Sequence, residues 1–286
     1  MIYLFTALYC EASLFIRHFH LKKNPKNIRF QQFYNETDDI CLTVTGVGEI
    51  AAAAAVSSVC IEHRPSREDL LLNVGICARE AESDGIFLCN KIFEQATGKT
   101  FYPDILYRHG FCEEMIVTEM MPYASGAFDD IVPSSFPDGA LHDMEAAAIY
   151  QAGSYFFGPH QMIFLKLVSD HGMSEAVSPE QVTCLMEAQK DPLCDFIRQL
   201  LDFASEHANR EHGLDPEQEA LYEKLCADLH CSKVMGDSLR QHLRYFALTG
   251  MDVDSVIQKM YGEGMLPCKD KREGKLRFEE LKRRLF

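Results

Sequence analysis

The sequence predicts an α/β protein in which helices flank a central β-sheet, largely parallel or mixed, and a small all-α segment follows. Over the first two hundred residues, short apolar runs rich in Ile, Val, Leu and Phe alternate with helical stretches. Beyond Gly213 no further β-rich run occurs. Hydrophobic residues make up 47% and charged residues 25% of the 286 residues, as in ordinary globular chains.

Six apolar runs predict strands that are covered on both faces. Each run holds several consecutive apolar residues, which is typical of buried strands. The first run lies in an N-terminus that lacks the basic start of a signal peptide, so we interpret it as a buried strand ending at Glu11. The runs span residues 2–9, 40–48, 69–77, 85–93, 114–120 and 161–170.

Helices are predicted between these strands and after the last of them. The alanine-rich stretch from Ile50 to His63 has side chains small enough to lie close to a sheet. Residues 143–155 predict a second helix with Asp143 as its N-cap. Residues 179–207 predict a longer amphipathic helix.

The C-terminal segment is predicted to be helical throughout. Gly213, Asp215 and Pro216 mark a boundary, and we divide the chain into a domain of residues 1–209 and an appendage of residues 210–286. Helices are predicted over residues 217–229, 232–248, 252–261 and 276–286. Residues 268–286 hold eight basic and four acidic side chains. This balance fits a solvated helix, or one that docks on an acidic protein or a nucleic-acid backbone.

Charge and cysteine usage narrow the function classes. The net charge of −15 argues against a general nucleic-acid or anionic-membrane binder. No apolar run approaches the roughly 20 residues that a membrane helix needs. The 11 cysteines include no CxxC pair, and several lie within apolar runs. They predict reduced thiols and a cytoplasmic protein without a thiolate metal site.

Chemistry-bearing residues follow several of the predicted strands. In open α/β sheets, ligands bind at the carboxyl ends of the strands. Glu11 and Asp170 end the first and last predicted strands, and Glu145 lies in the first turn of the helix that begins at Asp143. The second strand ends in a glycine turn at residues 46–48, and the third ends in residues 73–78, which contain Gly75. Three carboxylates and two glycine turns are therefore expected at one edge of the sheet.

Two motifs and their spacing resemble the nucleoside phosphorylase/nucleosidase superfamily, and its methylthioadenosine/S-adenosylhomocysteine nucleosidase branch in particular. The first motif, DMEAAA, begins at Asp143, and the second, FLKLVSD, ends at Asp170. The glycine turns TGVG at Thr45 and NVG at Asn73 stand where the family has its own. The resemblance covers roughly residues 1–205 and implies a three-layer phosphorylase-like fold.

The resemblance also implies roles for the carboxylates. Asp170 corresponds to the general acid that protonates the leaving base, and for this it must carry a proton near neutral pH. Glu145 corresponds to the carboxylate that binds the ribose hydroxyls and stabilises the developing cation, and Met144 to a residue that packs on the ribose. Glu11 corresponds to the carboxylate that positions and deprotonates the attacking water. One pocket would then hold Asp170 as a protonated acid and Glu11 as an ionised base.

Departures from the family pattern favour water over phosphate as the nucleophile. Phosphorylases place an Arg where Asn73 stands and a Ser where Ile76 stands, and both of those side chains bind phosphate. A carboxylate at Glu11 would repel the dianion. The nucleosidases also have a Ser near Ile76 and a Gly near Ala78. A phosphorylase with an unusual anion site and a nucleoside-binding module without catalysis therefore stay open as alternatives.

The remaining expectations concern binding residues, cofactors and partners. An aromatic residue about 20 positions before the Met-Glu pair is expected to stack on the base, and Tyr123 and Phe128 are the candidates. No cofactor or metal is predicted, because the chain has no dinucleotide fingerprint, P-loop or metal-ligand cluster. The resemblance implies a small-molecule nucleoside substrate and a homodimer, and the acidic charge predicts no membrane partner. Further substrate-binding candidates are Ser169, Gly75, Ile76 and Cys77.

Overall fold

The computed structural model describes residues 1–25, 29–35, 39–81, 83–123, 139–172, 177–211, 216–249 and 253–285. The chain divides into two compact units, Met1–His207 and Ala208–Phe286. The division falls close to the boundary after residue 209 that the sequence suggests.

The first unit alternates strands and helices, as the apolar runs predict. Its strands are β1 (Ile2–Thr6), β2 (Lys22–Lys23), β3 (Gln31–Asn35), β4 (Ile40–Val44), β5 (Leu70–Arg79), β6 (Ile86–Glu94), β7 (Thr100–Phe101), β8 (Cys112–Thr118), β9 (Leu141–Asp143) and β10 (Met162–Asp170). Its helices are α1 (Tyr9–His18), α2 (Glu49–His63), α3 (Ala146–Gly153), α4 (Pro179–Ala188) and α5 (Lys190–Glu211), and α5 continues past the division between the units. A 3₁₀ turn, Pro159–Gln161, precedes β10.

The strands form one mixed sheet in the order β10-β6-β8-β9-β5-β1-β4-β3-β2. Because β10 also pairs with β5, the segment from β5 through β9, β8 and β6 to β10 closes into a ring. Strand β5 is long enough to pair in parallel with both β1 and β10 and to reach β9 at its carboxyl end. Ring closure therefore brings the ends of β5, β9 and β10 together.

Two hydrophobic clusters cover the two faces of the sheet. One face packs on α1, α4 and the start of α5 through side chains such as Phe15, Met186 and Phe196. The other packs on α2 and α3 through small residues such as Ala52 and Ala147. The expected three-layer α/β architecture is confirmed, since each side of the sheet carries its own helical layer.

Three local expectations are wrong, and each error has a physical cause. The first strand ends at Thr6, and Glu11 lies in the first turn of α1, where its carboxylate accepts a hydrogen bond from the Leu8 backbone N–H (2.8 Å). Asp143 is the last residue of β9, and the N-cap of α3 is Glu145. Asp143 Oδ2 nevertheless accepts from the Ala146 backbone N–H (2.8 Å), as a capping carboxylate would. The helix expected over 179–207 divides at Gln189 into α4 and α5.

The second unit has four helices among its described residues and a core of its own. The helices are α6 (Pro216–Asp228), α7 (Lys233–Thr249), α8 (Val253–Gly262) and α9 (Lys271–Leu285). The core is built from side chains on all four, including Leu225, Phe246, Ile257 and Phe278. None of the described helices of either unit is long and apolar enough to cross a bilayer.

Several basic side chains of α9 are paired with acids of the same unit. Arg277 pairs with Glu273 and Lys282 with Glu279, one turn apart on the helix. Arg284 contacts both Glu263 and Glu280 at 2.8 Å. Such pairs are typical of a solvated helix face, which is one of the two interpretations of this segment.

Gly274 permits the close packing of α9 against the end of α6. A Cβ placed on Gly274 would overlap the Leu229 carbonyl oxygen, which belongs to the backbone and cannot move aside. We expect Gly274→Ala to destabilise the second unit by about 1–3 kcal/mol or more, which is the usual cost of overpacking.

Gly262→Ala is the matched control for this prediction, because no described atom beyond its chain neighbours and its own helix lies within 4 Å of the Cβ position at Gly262. Thermal unfolding followed by circular dichroism compares the two variants. Equal melting temperatures would show that the contact between α9 and α6 is not tight in solution.

Candidate active site

A cavity of about 600 Å³ opens at the carboxyl ends of β1, β5 and β10. Its walls combine carboxylates with apolar side chains, and its described lining includes neither Arg nor Lys. The lining residues are Ala7, Leu8, Glu11, Val47, Ile76, Cys77, Ala78, Pro122, Tyr123, His142, Asp143, Met144, Glu145, Ser169, Asp170 and Val177. The three carboxylates expected from the sequence, Glu11, Glu145 and Asp170, thus face one space.

Glu11 is held rigidly by backbone groups at the base of the cavity. Its side chain is 1% exposed, and its two oxygens accept hydrogen bonds from the backbone N–H groups of Leu8 (2.8 Å) and Ile76 (2.9 Å). A Cβ on Gly75 would lie 3.0 Å from Glu11 Oε1, so glycine leaves the room that this carboxylate needs. Burial raises the pKa of Glu11, while the backbone N–H groups and Lys166 oppose the rise.

Glu145 is anchored to the glycine turn after β4. Its Oε1 accepts a hydrogen bond from the Gly48 backbone N–H (2.8 Å). Gly48 has a φ of 97°, which a residue with a side chain rarely adopts. Burial, followed by repulsion from Asp143, raises the pKa of Glu145 from 4.5 to about 7. Glu145 therefore exchanges its proton close to neutral pH.

Beside these carboxylates lies a buried cation that the sequence analysis missed. Lys166 is 1% exposed, and its Nζ lies 2.7 Å from Asp143 Oδ2. Asp143 also accepts from Thr118 Oγ1 (2.8 Å). Burial alone would lower the pKa of Lys166, but Asp143 and Glu145 raise it above its usual value. A lysine inside the otherwise apolar run MIFLKLV was the available signal, because such a residue needs a buried counter-ion.

Asp170 lies at the end of β10 with both carboxyl oxygens engaged. Ser169 Oγ lies 3.0 Å from Asp170 Oδ2 and 3.2 Å from the Cys77 carbonyl oxygen. The Gly172 backbone N–H donates to Asp170 Oδ1 (3.0 Å). These contacts fix the carboxyl group at the cavity wall. His171 points elsewhere, with its ring nitrogens on the Arg79 carbonyl and Asp84.

The other candidate binding residues occupy different parts of the wall. Met144 lines the cavity between β9 and α3, and Ile76 and Cys77 line it from β5. Burial raises the pKa of the Cys77 thiol well above its usual value, so it is no thiolate nucleophile. One ring face of Tyr123 stacks on His142 (centroids 3.8 Å apart), so a base would have to stack on the opposite face. Phe128 lies outside the described residues.

No cluster of His, Cys, Asp and Glu suited to a metal ion occurs among the described residues of either unit. What the cavity offers is general acid–base chemistry: hydrogen-bonded carboxylates, one of them titrating near pH 7, next to a buried ammonium group.

Comparisons with solved structures identify the architecture. A methylthioadenosine/S-adenosylhomocysteine nucleosidase from Streptococcus pneumoniae, in complex with a transition-state inhibitor, superimposes with a TM-score of 0.55 at 17% identity. The match covers 70% of this chain and 98% of that one. The fold is that of these nucleosidases. The Arabidopsis thaliana methylthioadenosine nucleosidase gives a TM-score of 0.57 at 15% identity and covers 70% and 95% of the two chains.

A third structure, the nucleosidase of Colwellia psychrerythraea in complex with adenine, gives a TM-score of 0.55 at 17% identity. It covers 70% of this chain and 94% of that one. The predicted nucleosidase-like fold is confirmed, and the coverage is consistent with an additional C-terminal segment. No protein-family model and no curated protein matches the sequence.

Proposed function

We propose that this protein hydrolyses the N-glycosidic bond of a purine nucleoside or a 5′-modified nucleoside. The observation that carries the proposal is the convergence of Glu11, Glu145 and Asp170 on one cavity, within a fold shared with solved structures that are named nucleosidases. Cleavage of this bond builds positive charge on the ribose and negative charge on the leaving base. A cavity with an acid on one wall and carboxylates on the others stabilises both charges.

Each carboxylate has a place in this reaction. Asp170 donates a proton to the base as the bond breaks, and the contacts with Ser169 and Gly172 orient it for this. Glu145 accepts hydrogen bonds from the ribose hydroxyls, and Met144 packs beside them. Glu11 accepts a proton from the attacking water. Its raised pKa makes it a stronger base than an ordinary glutamate.

The anion environment supports water as the nucleophile. Asn73, which stands where phosphorylases have an Arg, is buried and donates from Nδ2 to the Phe5 carbonyl oxygen (3.1 Å). The described lining offers a phosphate dianion neither Arg nor Lys, while Glu11 would repel it.

Base release from a panel of nucleosides, each with and without phosphate, tests the proposal. The panel contains methylthioadenosine, S-adenosylhomocysteine, adenosine, inosine and futalosine. We expect free base and free sugar without phosphate. Turnover only with phosphate would show a phosphorylase. Binding without turnover would show a nucleoside-binding module. This alternative is motivated by Ile76 and Ala78, which stand where the nucleosidases have a Ser and a Gly.

The free energy of unfolding should depend on pH because folding raises the pKa of Glu145. A carboxyl whose pKa is raised on folding makes the protein less stable as pH rises from 4.5 towards 7, because the folded state must then release a proton it holds more tightly. Glu145→Gln keeps the acceptor for the Gly48 backbone N–H but removes the titration. In this variant we expect the free energy of unfolding to fall less steeply between pH 4.5 and 7, by at most about 1.4 kcal/mol per pH unit, which urea unfolding at each pH measures.

The same variant tests the proposed contact with ribose. It should weaken the binding of a riboside more than that of the free base. A pH profile identical to that of the unmodified protein would show that Glu145 titrates normally.

We further propose that the protein is a homodimer with α2 in the interface. On its inner face α2 buries Ala52, Val56 and Val59, yet Ile50 and Ile61 on its outer face are 86% and 67% exposed. Two exposed isoleucines on the outer face of a helix whose inner face is already buried are typical of a surface that a second chain covers. Val47, just before α2, lines the cavity, so a second copy on this face would border the site.

Ile50→Glu is expected to convert the dimer into a monomer, because it would bury a charge in the interface. Light scattering coupled to size-exclusion chromatography measures the mass. Leu276→Glu is the control, since Leu276 is an exposed apolar residue of the second unit. A monomeric unmodified protein, or a dimeric Ile50→Glu variant, would contradict the proposal.

A further inference from the structure

His142 faces the cavity but has no role in the reaction described above. It lies in β9, where it pairs with Ala78 of β5. Ala78 pairs on its other side with Asp170 of β10. His142 and Asp170 therefore flank the same residue of β5, and both line the cavity. A ligand whose base is protonated by Asp170 would lie within reach of the imidazole.

Glu119 determines the orientation of this imidazole. Glu119 follows β8 directly, is 2% exposed, and places Oε1 3.0 Å from His142 Nδ1. Its backbone N–H donates to the Asp143 carbonyl oxygen (2.8 Å), which ties it to β9. Its other oxygen, Oε2, has no hydrogen-bond partner within the described chain. Because a carboxylate can only accept, Nδ1 carries the hydrogen of this bond.

Tyr123 holds the ring from its face. The two rings lie 18° from parallel with centroids 3.8 Å apart. A carboxylate at one nitrogen and an aromatic ring on one face leave the imidazole little freedom to rotate. In the neutral ring, Nε2 then presents its lone pair, and no described group of the protein bonds to that nitrogen.

We propose that His142 is a specificity-determining residue whose Nε2 accepts a hydrogen bond from the exocyclic amino group at C6 of the ligand's base, with Glu119 as its positioning residue. This inference rests on the proposed nucleoside site and adds the group that distinguishes one base from another. A buried acceptor favours a base with an amino group over one with a carbonyl oxygen, because two acceptors would face each other without a proton.

Binding of three ribosides tests the proposal. Adenosine has an amino group at C6, inosine has a carbonyl oxygen there, and purine riboside has neither. Calorimetry in an Asp170→Asn background measures each dissociation constant without turnover. We expect adenosine to bind about tenfold or more tightly than purine riboside, since a good hydrogen bond to a buried group is worth about one factor of ten.

His142→Phe is the decisive variant, because it keeps a flat ring against Tyr123 and removes both ring nitrogens. The preference for adenosine over purine riboside should fall to within about twofold, while purine riboside itself binds as before. His142→Gln, which restores an acceptor, should recover part of the preference. An unchanged preference in His142→Phe would overturn the inference alone. If none of the three ribosides binds even without the His142 substitution, the proposed function fails as well.

Nitrogen NMR of the histidine side chains shows which imidazole nitrogen carries the hydrogen. A purely structural role for His142 would not require one particular tautomer. The signals that disappear in His142→Phe belong to His142. They should show a protonated Nδ1 and an unprotonated Nε2. In Glu119→Ala this preference for one tautomer should be lost. A protonated Nε2 in the unmodified protein would show that His142 donates, and would overturn the assignment.

Discussion

Replacing Asp170 with Asn is expected to lower kcat for nucleoside hydrolysis by about 10²–10⁴-fold, the usual contribution of a general acid. Asn keeps the size of Asp and can still accept from the Gly172 backbone N–H, but it has no acidic proton that it could transfer to a leaving base. The dissociation constant for the nucleoside should change little, because the proton transfer occurs only in the transition state.

The comparison of leaving groups sharpens this prediction. A nucleoside whose base leaves without protonation should be hydrolysed almost normally by Asp170→Asn, whereas a poor leaving base should not be released. Ser169→Ala is the matched control, since Ser169 Oγ contacts the same carboxyl group but transfers nothing itself. Its effect should be much smaller. Normal turnover of poor leaving bases by Asp170→Asn would remove Asp170 from the role of acid.

Replacing Lys166 with Met is expected to destabilise the first unit by about 3–5 kcal/mol, the usual cost of removing one partner from a buried ion pair. Met has a similar length and fills the same space, so packing alone would change little. The loss is electrostatic: Asp143 would remain buried without the ammonium group 2.7 Å away. The midpoint of urea unfolding, followed by circular dichroism, measures the change.

The double variant Lys166→Met with Asp143→Asn tests the cause. Asn at position 143 is neutral and retains an acceptor for the Thr118 hydroxyl. The double variant should therefore be more stable than Lys166→Met alone. If the two are equally unstable, the loss comes from packing and not from charge. Lys166 also lowers the pKa of Glu145, so Lys166→Met should shift the titration of Glu145 to higher pH.

The basic C-terminal helix and the site belong to different units, and the proposals for them are independent. Ion pairs within the second unit account for Arg277, Lys282, Arg283 and Arg284 of α9. Lys271, Arg272 and Lys275 are exposed on the same helix. An acidic partner of this helix stays a prediction, which salt-dependent binding and deletion of residues 268–286 would test.

Local patterns in the sequence were sufficient for much of the fold. Consecutive apolar residues predicted β1, β4, β5, β6, β8 and β10, because a strand that is covered on both faces must be apolar on both. Other stretches predicted α2 to α5, and the end of the β-rich runs predicted the change to an all-α segment, whereas α1 was not predicted. The strand ends and the motifs around Glu145 and Asp170 predicted that the two carboxylates would meet, although the strand before Glu145, β9, was not predicted.

Only the tertiary structure decided how these pieces combine into a site. The helical position of Glu11 was hidden, because Tyr9 and Cys10 continue the apolar run into α1 without a break in composition. The closure of β10 onto β5 and the insertion of β9 are pairings between residues far apart in the chain, which periodicity cannot detect.

The buried polar pairs of the site also arise from contacts between residues far apart in the chain. Lys166 meets Asp143 across 23 positions, and Glu119 meets His142 across another 23. Neither pair has a local signature, because a buried charge is stabilised by whichever partner the fold brings within hydrogen-bonding distance. The sequence alone thus determined the layers and the carboxylates of the candidate site. Folding determined which cation and which imidazole stand beside them, since burial makes such contacts strong only once the sheet has closed.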